Sequence, residues 1–259
     1  LVAALRGWCY RITHHSFERT AASTVATYCT VRFFMKSLIN GFEHFRHEVF
    51  PQQRELFKKL ASGQNPATMF ITCADSRVMP ELMFNAQPGE LFVYRNIGNI
   101  VPPYAQHVSG VVAAIEYAVR VLKVAHIVIC GHSDCGAMKA LRKPELVRDM
   151  PSVAAWLKHA DVARYVVEQN TCGLSDDECL SCLTRENVVG QLEHLRTLPV
   201  VAAAMASGNL SIHGWVYDIA NADIDAFDAQ LGRFVALRQG VDGLPEATPH
   251  VRFAVASAA

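Results

Sequence analysis

Three short apolar runs, "ATMFITC", "LFVYRN" and "AHIVIC", constrain this chain most, because each is compact and fails to alternate apolar with polar. Strands of that kind are covered on both faces, as in a parallel sheet. Between the second and third lies "SGVVAAIEYAVRVLKV", where Val111, Val112, Ala114, Ile115, Ala118, Val119 and Leu122 make one broad apolar face. That pattern predicts a crossover helix. A later strand, "NLSIHGWVYD", follows a long helical region from Pro151 to Ser207, and the spacing in "DAFDAQLGRFVAL" predicts one more helix closing the ordered part. Ahead of the first strand, Leu38, Phe42, Phe45, Val49, Phe50, Leu56, Phe57 and Leu60 fall at helical spacings interrupted at Pro51, which predicts two amphipathic helices. Their aromatics would pack on the core or on a partner subunit. The fold class that results is α/β: a mostly parallel central sheet, about four parallel strands plus an edge strand, flanked by helices.

Composition narrows the function. The chain is 51% hydrophobic and 19% charged, with 24 basic and 24 acidic side chains. This balance argues against nucleic acid or an anionic membrane as a partner. No apolar run approaches the roughly 20 residues that would span a bilayer. The eight cysteines are scattered along a long chain rather than framing a small one. Scattered cysteines favour reduced thiols and metal ligands, and hence a cytoplasmic protein. Residues 1–34 carry Arg6, Arg11, Arg19 and Arg32 against a single acid, Glu18, and the first methionine is Met35. The expectation is that translation starts at Met35; an organellar transit peptide or a disordered tail are the alternatives. The Gly/Pro-rich "QGVDGLPEATPH" reads as the start of a loose tail over 241–259.

Chemistry-bearing residues gather at the ends of two predicted strands. In "ITCADSRVMPELMF", Cys73, Asp75 and Arg77 stand at every second position straight after an apolar run; in "CGHSDCGAM", His132 and Cys135 follow another. Open α/β sheets bind ligands beyond the carboxyl ends of their strands. Two thiolates and an imidazole suit zinc, and a three-ligand set leaves a fourth tetrahedral position open. Short Cys/His spacings also arise from buried structural thiols, but the paired strand-end placement favours metal. Asp75, on the side of Cys73 in an extended segment, can accept a hydrogen bond from a hydroxide on the metal and aim it. The Arg77 fork can hold both Asp75 oxygens, keeping that carboxylate ionised and turned from the metal. Taken without the cysteine, the same pair would read as a surface ion pair.

In combination, "CADSR", "PGELFVYRNIGNIVPPY", "GVVAAIEYAV", "CGHSDCGAM" and "HGWVYDI" resemble the β-class carbonic anhydrases, especially the bacterial and plant-like members. The resemblance covers about residues 36 to 240, so 35–240 is expected to be the catalytic domain. It implies one zinc per subunit on Cys73, His132 and Cys135, with Asp75 and Arg77 as a catalytic dyad. The reaction implied is reversible hydration of carbon dioxide to bicarbonate and a proton through zinc-bound hydroxide, in a homodimer or dimer-based tetramer. It further implies a substrate cleft at the dimer interface, and Gln64, Phe92, Ile97 and Tyr117 match its lining. Each of these four also has a plain reading, as a loop residue or as core. Some bacterial members hold an inhibitory bicarbonate with a tryptophan, an arginine and a tyrosine; here those positions are Phe70, Arg95 and Tyr217, and the tryptophan is missing. Two rival functions are a carbon disulfide or carbonyl sulfide hydrolase on the same scaffold and a non-catalytic zinc-binding protein. Cys172, Cys179 and Cys182 offer a second metal site with His159 or His194, but Cys179 and Cys182, three apart in a predicted helix, read rather as a packed face, and His213 as a hydrogen-bonded core histidine.

Overall fold

The computed structural model describes residues 35–105, 109–170 and 173–237. The expected extension over 1–34, the tail over 241–259 and Cys172 lie outside the described residues. The chain divides between Ser62 and Gly63 into two compact units.

The first unit is helical: α1 (35–44), a π-turn at Phe45–Val49, α2 (Phe50–Gln52) and α3 (Arg54–Leu60). The interruption falls at Gln53 (φ −111°, ψ 13°) rather than at the predicted Pro51. Pro51 stands in the first turn of α2, where a missing N–H deprives the helix of nothing. The rings of Phe45, Phe50 and Phe57 form a small aromatic cluster, Phe50 to Phe57 at 5.3 Å and Phe45 to Phe57 at 5.9 Å. Leu38 and Phe42 point outward and are exposed.

The second unit carries a six-stranded sheet in the order β2-β1-β3-β4-β5-β6. Its strands are β1 (Thr68–Cys73), β2 (Leu91–Asn96), β3 (His126–His132), β4 (Ser211–Asp218), β5 (Asp223–Asp228) and β6 (Arg233–Ala236). The first four are mutually parallel and the last two antiparallel, so the sheet is mixed. The predicted closing helix is therefore absent: "DAFDAQLGRFVAL" forms the β5–β6 hairpin. Asp228 Oδ1 accepts from the backbone N–H groups of Gln230 and Leu231, and Gly232 takes φ +63°, so a turn forms where a helix would have to continue.

The helices of this unit are α4 (Pro80–Met83), α5 (Gly110–Tyr117, prolonged by a π-turn Ala118–Leu122), α6 (Gly136–Arg142), α7 (Pro151–Leu157), α8 (Asp161–Asn170), α9 (Asp176–Thr197) and α10 (Pro199–Ala206). A capping box of Ser175 with Glu178 starts α9. One sheet face buries Met69, Ile71, Ile127 and Ile129 against Ile115 of α5 and Val188, Leu192 and Leu195 of α9. Each such fully buried side chain contributes about 1.5–3 kcal/mol. α9 lies close because Gly131 and Gly214 sit beneath it; a Cβ on Gly214 would meet Val188 and Leu192 at 2.8 Å. The opposite face is smaller and aromatic, with Phe70, Phe84, Trp215 and Tyr217 around Val128 and Cys130.

Chain order places the site. From β1 the chain moves outward to β2 and then returns past β1 to β3. That reversal opens a crevice at the carboxyl ends of β1 and β3, where ligands bind in open α/β sheets. Cys73 is the last residue of β1 and His132 the last of β3.

Candidate metal centre

Cys73, His132 and Cys135 converge in that crevice, their donor atoms all within 4.8 Å of one another. His132 is fully buried and the two thiols nearly so. Asp134, at a left-handed φ of 58°, turns the chain from His132 back to Cys135, which caps the start of α6. The His132 Nδ1–H donates to Ser133 O at 2.9 Å, which fixes the ring and leaves the Nε2 lone pair facing the crevice. Nε2 has no hydrogen-bond partner.

The two sulfurs are 4.0 Å apart. The pair gives up its first proton readily and its second with difficulty. Cys73 is held below the ordinary thiol range, first by the hydrogen bond from Cys135 and, against burial, by His132 and the N–H groups of Gly98 and Asp75. Cys135 is pushed up by the neighbouring Cys73 and by its burial. A thiolate, a thiol sharing its proton and an orphaned buried imidazole nitrogen are a donor set that a soft divalent cation satisfies by displacing that proton. The residues present therefore fit zinc.

Asp75 lies beside this set, its Oδ2 3.8 Å from His132 Nε2. Arg77 gives it three donors: the backbone N–H and Nε to Oδ1, each at 3.0 Å, and Nη2 to Oδ2 at 2.8 Å. This bonding holds the Asp75 carboxyl well below the usual carboxylate range. The chain turns after β1, with Val78 N–H donating to Asp75 O, and the turn folds Arg77 back over Asp75.

Two neighbours escaped the sequence reading. Asp134 accepts Arg77 Nη1 at 3.1 Å and also pairs with Lys139, so it fixes the far side of the Arg77 fork. Its signal was its place between two candidate ligands in "HSDC". Arg95, matched above only to an inhibitory site, reaches across from β2 to donate to the backbone carbonyls of Cys73 and Asp75. It braces the segment that carries both.

Of the four cleft residues, Ile97 alone stands at the level of this centre within one chain, one residue past the Asn96–Cys73 pair; the other three are not gathered there. Ile97 immediately follows β2 and is 43% exposed, next to Gly98. Phe92 lies in register with Met69, four residues or roughly 13 Å before the level of Cys73, and its ring packs on that of Tyr117 at 6.1 Å. Gln64 is exposed in the coil preceding the amino end of β1. Among the described residues no other group of three His, Cys, Asp or Glu side chains could hold a metal. Cys179 is buried on α9, with Cys182 of the same helix packed against the cluster around α6 and α8. His213 Nε2 meets His126 Nδ1 at 3.3 Å.

The described helices include none long and apolar enough to cross a membrane. The family model described as carbonic anhydrase matches residues 68–224. A carbonic anhydrase of Pseudomonas aeruginosa is 49% identical over 205 residues, covering 79% of this chain and 93% of that protein. The solved β-carbonic anhydrase CcaA superposes with a TM-score of 0.77 at 41% identity, over 79% of this chain and all of that one. A structure reported for two tetrameric β-carbonic anhydrases of Sordaria macrospora matches at 32% identity and a TM-score of 0.66, over 80% of this chain and all of that one. With the family model spanning more than half its length and a relative identical at nearly half the aligned positions, the chain belongs to the carbonic anhydrase family, in its β class.

Proposed function

We propose that this chain catalyses the reversible hydration of carbon dioxide to bicarbonate and a proton, using one zinc ion held by Cys73, His132 and Cys135. The observation that carries the proposal is the convergence of those three donors within 4.8 Å, beside a carboxylate that Arg77 keeps ionised. Zinc bound there would supply Lewis-acid activation of a water molecule at neutral pH. Asp75 accepts a hydrogen bond from the attacking oxygen and turns its lone pair toward carbon dioxide. Arg77 occupies the carboxylate oxygens that would otherwise seek the metal, and Asp134 and Lys139 hold Arg77 in that position. The apolar packing of Ile100, Ala137, Met138 and Leu141 around the thiols keeps bulk water from their side of the centre.

The active form we infer is a homodimer or a dimer-based tetramer. Gln64, Phe92 and Tyr117 stand toward the amino ends of the strands, so they complete a cleft across an interface rather than within one chain. The exposed Leu38 and Phe42 of α1 are apolar surface for a partner to cover. The described cysteines are free thiols, in keeping with a reducing, cytoplasmic setting.

Stopped-flow assays on the zinc-loaded protein test the activity. Carbon dioxide hydration at alkaline pH is expected. No hydration with metal bound would defeat the proposal, and turnover of carbon disulfide or carbonyl sulfide alone would replace it with a sulfur-substrate hydrolase.

A further inference from the structure

Arg95 is exposed, yet it forms no ion pair among the described residues. Both of its bonds go to main-chain carbonyls of one short stretch: Nε donates to Cys73 O at 3.1 Å and Nη2 to Asp75 O. That stretch is where β1 leaves the sheet. Past Cys73, Ala74 N–H still donates to Asn96 O at 2.8 Å, and then the chain turns away, with Val78 N–H donating to Asp75 O at 3.1 Å. Arg95 thus continues the bonding between β2 and β1 by side chain where the main chains part. A planar guanidinium can grip two acceptors at once, whereas the point charge of a lysine does not hold both in one geometry.

The strand end from which Arg95 reaches is itself fixed. Asn96 clasps Ile100 on both N–H and carbonyl, each at 2.8 Å, and Gln191 of α9 accepts the next N–H, that of Val101, at 2.8 Å. Ile100, Val101 and Gln191 are all buried. Arg77 has a different task. Its three bonds to Asp75 tie the carboxylate to the backbone of the turn, and its bonds to Asp134 tie the turn to the loop after β3. None of those bonds reaches β2.

We propose that Arg95 is a positioning residue for Asp75: by gripping the carbonyls of the two residues that flank Ala74, it locks the turn to β2 and so sets where the carboxylate is aimed. Arg77 fixes the carboxylate to the turn, and Arg95 fixes the turn to the sheet. The inference rests on the proposed role of Asp75 in hydration.

Arg95→Met keeps the stem and removes the fork; Arg95→Lys keeps the charge. Amide hydrogen exchange reads the turn without activity, and the amides of Ala74 and Val78 should exchange about 10-fold faster in Arg95→Met than in the wild type. Stopped-flow hydration on the zinc-loaded protein reads the consequence. The expected result for Arg95→Met is a kcat lower by about 10- to 100-fold, with KM and zinc content unchanged, since a misplaced catalytic group costs on that order. Arg95→Lys should remain well short of wild-type turnover. The deciding comparison is the double variant: in an Asp75→Ala background Arg95→Met should cost almost nothing further, because the group it aims is gone. Should Arg95→Met fail to fold, Arg95→Gln takes its place. Equal fractional losses in both backgrounds would overturn the inference, as would wild-type kcat in Arg95→Met or Arg95→Lys, and so would loss of zinc from Arg95→Met, which would place its effect on Cys73 instead. A zinc-loaded wild type that hydrates no carbon dioxide would overturn the proposed function and this inference with it, and is distinguishable from all of these.

Discussion

Asp75 receives three donors from Arg77, which receives in turn the carboxylate of Asp134, itself paired with Lys139. Isolated exposed ion pairs contribute little, but this chain of charges is anchored at one end by a mostly buried carboxylate and by backbone geometry. Its effect is to fix where Asp75 points. The three ligand positions behave differently, because each supplies an atom that nothing nearby can replace. Cys73→Ser and His132→Ala are each expected to leave less than one zinc per chain when metal content is measured after dialysis against chelator. Arg77→Ala should keep its zinc, since Arg77 touches none of the three donors. Equal zinc retention in the ligand variants and the wild type would show that the metal sits elsewhere.

At the level of elements, the close seating of α9 on β3 and β4 depends on two glycines. A methyl on Gly214 would overlap Val188 and Leu192, both in the packed core. Gly214→Ala should therefore cost about 1–3 kcal/mol in chemical denaturation, and an unchanged midpoint would show that α9 can shift freely. The parallel strands β1, β2 and β3 were legible in the sequence as apolar runs, whereas β4 buries every second residue, with Ile212, Gly214 and Val216 turned inward. The hairpin β5–β6 was not legible. Ile224, Phe227, Leu231 and Phe234 fall three, four and three residues apart, a helical spacing produced here by antiparallel edge strands joined through an Asp228 turn. In the site, Cys73, His132 and Cys135 could be found because unusual side chains stood at predicted strand ends. The bracing role of Arg95 could not, since its partners lie about 20 residues away in sequence and only folding brings them together.

For the molecule as a whole, His213 couples stability to pH. Burial, assisted by the neighbouring His126, lowers its pKa from 6.5 to about 4. Between those values the unfolded chain binds a proton that the folded one refuses, so stability falls as pH drops from 6.5 to 4 and levels off below. The loss is at most about 3 kcal/mol from this group. Denaturant titrations at pH 7 and pH 4.5 should show a smaller decline in His213→Phe than in the wild type, and parallel declines would remove His213 from the account. The same scale holds the question of assembly. With Gln64, Phe92 and Tyr117 remote from Cys73 along their own chain, sedimentation should find a dimer or tetramer at assay concentrations, and an active monomer would contradict the shared cleft. The central claim is that Asp75 works on the attacking oxygen beside a metal it does not bind. Stopped-flow hydration and zinc content, measured on one preparation of Asp75→Ala, test it most directly. The expected result is a full complement of zinc with turnover reduced on the order of 10² to 10⁴-fold, whereas wild-type turnover, or loss of the zinc itself, would contradict it.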